Sequence, residues 1–149
     1  MKLDFVLDKY DKLDGLTADE RVLLTAMDFS YSDYYLGDLI LESNMANLST
    51  QDMHMPIVDL ALAFKYIISN ARPRSHETFE FTESGDTIRF TFDSNNNVEI
   101  VSSYSPGVIE ISLTSLRQMT IDLASKVYME ITTRYPELKQ NETIQKLIE

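Results

Sequence analysis

The chain has 149 residues, no cysteine or tryptophan, and 24 acidic against 13 basic side chains, a formal charge of −11. That length suits one domain, able to bury roughly 68–70% of its unfolded surface without staples. Lack of cysteine excludes disulfides and thiolate metal centres, and the acidity argues against partners that carry phosphate, namely nucleic acid and anionic lipid.

The charge is uneven. Residues 1–55 hold 11 acids and 4 bases, a net of −7, whereas residues 56–149 hold 13 acids and 9 bases, a net of −4. The start of the chain carries acids from Asp4 onward and no apolar run, unlike a secretory signal, and no stretch nears the ~18 apolar residues of a membrane span. A cytoplasmic location is expected.

Leu3, Phe5 and Leu7 alternate with polar or smaller neighbours, which predicts a half-buried first strand. Thr17 followed by Glu20 three residues later predicts a short helix opened by a capping box. Phe29 and Tyr31 then alternate with Asp28 and Ser30, and Leu39–Glu42 resume an extended pattern. Second and third strands are expected there, with the tyrosine-rich stretch YSDYYLGDL (31–39) between or across them. Residues 44–55 are polar and short-chained, so they read as a loop. Pro56 stands where the first turn of a helix tolerates proline, with Asp52 as a candidate cap. Ile57, Leu60, Ala61, Phe64, Ile67 and Ile68 follow at helical spacing, and Val58, Leu62 and Tyr66 widen the apolar arc.

The second half reads as a four-stranded meander. Phe79/Phe81, Ile88/Phe90/Phe92, Val98/Ile100 and Ile109/Ile111/Leu113 each alternate with polar residues. Ser84-Gly85-Asp86, Ser94–Asn97 and Ser105-Pro106-Gly107 separate them with turn-forming residues. Thr114 or Ser115 can cap a long helix whose Leu116, Met119, Leu123, Val127 and Ile131 share one face, until Pro136 interrupts it. Ile144, Leu147 and Ile148 of a last short helix are expected to pack back. The predicted fold is α+β: a single antiparallel sheet that includes the meander, with two long helices on one face. The opposite face would display Thr78, Glu80, Thr87, Arg89, Thr91, Glu99, Val101 and Glu110.

Motifs for chemistry are lacking. Glu80, Glu99 and Glu110 could share the open face, but no apolar pocket is evident to split their acidities into acid and base. His54 and His76 lie far apart with no ligand-spaced partners, and no nucleophile elbow, phosphate loop or dinucleotide fingerprint occurs. Asn141-Glu142-Thr143 matches the glycosylation triplet by letters alone. Neither a cofactor nor a metal is expected, and no enzymatic activity. The tyrosine-rich stretch remains open to two readings. Its rings pack inward as part of a hairpin, or one of Tyr34 and Tyr35 points outward beside Asp33 and Asp38 and grips a basic surface.

The early LDFVL strand, AMDFSYSDYYLGDLILES, MPIVDLALAFKYI, the hairpin FTESGDTIRFTFDSNNNVEIV and the helix SLRQMTIDLASKVYMEI together resemble small immunity proteins of bacterial polymorphic or contact-dependent toxin systems. The resemblance is one of architecture, without an invariant motif. It implies a cytosolic inhibitor that binds a secreted toxin domain, often a nuclease, and blocks its active site or another essential surface. An acidic inhibitor suits a toxin made basic by its need for phosphate. Asp33, Tyr34, Tyr35 and Asp38 form the first expected contact patch, and Glu80, Glu99 and Glu110 the second. A small acidic secretion chaperone is the alternative, though such chaperones usually open with a helix.

Overall fold

The structure, a computed structural model, describes residues 1–24, 34–82 and 84–149. Its class is α+β, but the strands form two antiparallel sheets where a single one was expected. The first sheet has the order β1-β2-β3, with β1 at Lys2–Leu7, β2 at Leu36–Glu42 and β3 at Met55–Pro56. The second is the meander, β4 (Ser75–Glu80), β5 (Thr87–Phe92), β6 (Asn97–Ser102) and β7 (Ile109–Ser112), in sequence order. Alternation within a strand says which face is apolar; it carries no information on whether two hairpin groups share an edge. Here β3 lasts two residues before the chain turns into a helix, so the ladder of the first sheet ends there.

Leu3 and Phe5 of β1 face Leu41 and Leu39 of β2, as the alternation requires, and Leu7 faces Gly37. The expected strand around Phe29 and Tyr31 lies outside the described residues. Helix α1 (Ala18–Val22) carries the predicted capping box: Glu20 N–H donates to Thr17 Oγ1 at 3.2 Å and Thr17 N–H to Glu20 Oε1 at 3.0 Å. Residues 44–54 are less free than their polarity suggests. Leu48 is fully buried, and the Leu48 and Thr50 N–H groups donate to Leu41 and Leu39 carbonyls at 2.7 and 3.0 Å.

Helix α2 (Ile57–Ser69) starts directly after Pro56, which is its N-cap in extended conformation; Asp52 does not cap it. Seven of its residues are buried, yet Tyr66 is 69% exposed, so the apolar arc stops short of it. Helix α3 (Leu113–Arg134) is capped by Ser112, whose Oγ accepts from Ser115 N–H at 3.1 Å, because the helix begins earlier than the Thr114 or Ser115 expectation. Both long helices pack on each other, and each touches both sheets. After Pro136, helix α4 (Glu142–Gln145) and the turn behind it bury Ile144 and Leu147, while Ile148 stays exposed. Asn141 is α4's cap and is 2% exposed, with its Nδ2 donating to Leu24 O at 2.6 Å, so the glycosylation triplet is sterically closed.

The two sheets meet where Tyr104 Oη donates to Leu48 O at 2.5 Å while its ring touches Phe81. The amino-terminal turn is fastened to the end of α3. Asp14 accepts from Tyr135 Oη at 2.6 Å and from Arg134 at 2.8 Å, and the Tyr135 hydroxyl leads in holding this carboxyl below its ordinary range.

Candidate functional site

Three turns aim the meander. Each predicted turn supplies one residue with left-handed backbone, Gly85 (φ 74°), Asn96 (φ 63°) and Gly107 (φ 100°), and together they return the chain as successive antiparallel strands. Ile88, Phe90, Phe92, Val98, Ile100 and Ile109 are buried toward the helices. The opposite face is left to solvent, and the register orders it in rows: His76, Thr91, Glu99 and Glu110 form one, and Thr78, Arg89 and Val101 the next.

Glu99 and Glu110 are therefore directly opposite each other on adjacent strands. The ladder makes them a close pair. Ser103 N–H donates to Thr87 O and Leu113 N–H to Asn96 O, so odd-numbered residues of β6 bond toward β5 and even-numbered ones toward β7. Glu99 and Glu110 thus form a non-hydrogen-bonded pair, the kind in which Cα atoms approach to about 4.5 Å and side chains come closest. Like charges so placed repel. Neither makes an ion pair or side-chain hydrogen bond among the described residues, and both are exposed.

The pair borders an open depression of about 460 Å³ that Thr91, Asp93, Asn97 and Ser112 also line. Asp93 accepts from Asn95 and Asn97 N–H groups at 2.8 and 2.9 Å, and the bond from Asn97 holds its carboxyl below the usual range, so the turn carries a fixed negative charge at the rim. Asp93 was missed in the sequence, where it stood unassigned just before the turn Ser94–Asn97. Continuing the outward alternation Arg89, Thr91 by one step would have found it. Glu80, by contrast, stands apart from this pair. It is four residues along β4 from the row of Glu99, roughly 13 Å, and two strands across.

The tyrosine-rich stretch divides differently from the expected patch. Tyr35 is 1% exposed with φ 52°, its N–H bonded to Asp11 Oδ1, and its ring beside Phe5. It is a core residue, which corrects its place in a contact surface. Asp38 is spent internally: its carboxylate accepts from Thr50 Oγ1 at 2.7 Å and from the Asp52 and Met53 N–H groups at 3.1 and 3.0 Å, anchoring the loop ahead of β3. Tyr34 is half-buried against the core, and Asp33 lies outside the described residues.

Tyr35 Oη has no hydrogen-bond partner among the described residues, and burial pushes its pKa well above the ordinary phenol range. A buried hydroxyl without a partner costs about 1–3 kcal/mol. Tyr35→Phe is therefore expected to raise stability by about 1 kcal/mol in urea unfolding, and a loss of stability would show that the hydroxyl is satisfied.

Among the described residues no three histidine or carboxylate side chains are placed to hold a metal ion, and no helix is long and apolar enough to cross a membrane. No protein-family model matches the chain, and no curated protein or solved structure is significantly similar to it.

Proposed function

We propose that this protein is a cytoplasmic immunity protein that binds a cognate bacterial toxin domain with a basic surface, such as a nuclease, and neutralises it by occupying that surface without chemistry of its own. The observation that carries this reading is the Glu99–Glu110 opposition beside Asp93, on an open sheet face where neither glutamate makes an ion pair among the described residues. A Lys or Arg seated between the two carboxylates converts repulsion into attraction on both sides, so complex formation removes a cost the free protein bears. The overall charge of −11 adds steering, which raises the association rate and fades with salt. The resemblance of the sequence pattern to immunity proteins agrees with this reading.

Two measurements test it. The tagged protein is incubated with lysate of the source organism and washed at low and then high salt, and the retained protein is assayed for toxicity with and without added inhibitor. A basic toxin domain is expected, released by salt, inhibited by the native chain, and bound at least tenfold more weakly by Glu99→Lys/Glu110→Lys. Equal binding by that variant sinks the electrostatic reading, and recovery of an unfolded secretion substrate in place of a toxin favours the chaperone. In the free protein, Glu110→Gln is expected to raise the melting temperature by about 1–2 °C, because it relieves the pair. A lowered melting temperature would mean that the pair is not repulsive.

A further inference from the structure

Strand β4 is an end strand of its sheet, and among the described residues no strand pairs with its outer edge. Phe81 N–H donates to Asp86 O and Gly85 N–H to Phe81 O, which sets the odd-numbered residues of β4 bonding toward β5. The N–H and C=O groups of His76, Thr78 and Glu80 consequently point away from the sheet, and none of them is bonded among the described residues. Such an edge is a template for another strand.

We propose that this edge pairs with β4 of a second copy of the chain, antiparallel across a two-fold axis through Thr78. Of the two-fold registers that keep outward groups bonded to one another, those centred on Glu77, Thr78 and Phe79 engage at least two of the outward residues of β4, and charge selects among these three. Centring on Glu77 would set two Glu77 side chains opposite each other at the close spacing of about 4.5 Å. Centring on Phe79 would place His76 against Thr82 and Thr78 against Glu80, with no charge complementarity. Centring on Thr78 sets Thr78 against Thr78 and His76 against Glu80 twice, an imidazole donor facing a carboxylate acceptor on each side of the axis. All three outward residue pairs then exchange backbone hydrogen bonds, and the two meanders become one eight-stranded sheet. The acidic depression at β6 and β7 lies at the far side of each copy and stays open, so this association is independent of the toxin reading.

Light scattering and sedimentation equilibrium of the full chain over about 1–300 µM test it. The mass is expected to rise with concentration from 17.1 kDa towards twice that value. Thr78→Pro removes an N–H that the chain's own ladder does not use, so it is expected to keep the native melting curve while weakening association at least tenfold. His76→Glu, which opposes two carboxylates, is expected to do the same, and His76→Glu/Glu80→Lys to restore association. A native chain that stays monomeric over the whole range overturns the proposal. So does a dimer that tolerates both Thr78→Pro and His76→Glu, since its interface must then lie elsewhere.

Discussion

Phe64→Ala is expected to lower the free energy of unfolding by about 3–5 kcal/mol. The Phe64 ring is 1% exposed and lies 5.4 Å from both Phe79 and Phe90, edge-on to each with interplanar angles of 90° and 84°. Phe79 continues the contact to Phe81 at 5.1 Å, and Phe81 to Tyr104 at 5.7 Å, the residue that reaches the first sheet through Leu48. Removing Phe64 thus forfeits its transfer free energy and two favourable ring contacts, and leaves a cavity between α2 and the meander. A domain of this size holds only about 5–15 kcal/mol in total, so the variant would be marginal at room temperature. Urea unfolding measures the loss; a cost below about 1 kcal/mol would show that the helix does not depend on this ring. Tyr66→Ala, two residues on and exposed, is the matched control, expected within about 0.5 kcal/mol of the native chain.

Gly37→Ala is the second large effect, at about 3 kcal/mol or more. A Cβ at Gly37 would stand well inside the van der Waals contact of the Val6 carbonyl oxygen and 3.0 Å from Leu7 Cα. Both obstacles are backbone of the neighbouring strand, so no side-chain rotation relieves them. The end of the β1–β2 ladder, where Gly37 faces Leu7, has to open. Amide exchange is expected to accelerate from Val6 to Asp8, whose N–H donates to Leu36 O at 2.9 Å in the native ladder. Unchanged protection in that segment would place the glycine's value elsewhere. The glycine within the tyrosine-rich stretch therefore serves the close approach of two strands, a role that its position in the letters alone does not reveal.

Local rules were legible from the letters. Thr17 and Glu20 form their capping box because both partners lie within one turn, and Gly85, Asn96 and Gly107 turn the chain because few other residues accept left-handed backbone. The alternation from Ile88 to Phe92 named the buried face correctly, since side chains of a strand diverge by geometry. Glu99 and Glu110 could accordingly be placed on one exposed face, though not opposite each other.

Nonlocal pairing decided the rest. That Glu99 meets Glu110, and Glu80 does not, depends on the register across β6 and β7, which the turn at 103–108 sets and composition cannot count. Tyr35 is buried and Tyr34 half-buried because the backbone at Tyr35 turns left-handed against Asp11, 24 residues earlier. Asp38 is half-buried, and its carboxylate is already bonded to a loop more than ten residues ahead. The sequence by itself determined the types of the long helices and of the meander strands, the turns between those strands and their apolar face, because those follow from φ/ψ preference and side-chain period over a few residues; the short strand Met55–Pro56, read as a loop end and a helix start, was not among them. Only the tertiary structure decided that there are two sheets and which carboxylates stand together, because those depend on contacts between segments whose separation along the chain leaves no periodic trace.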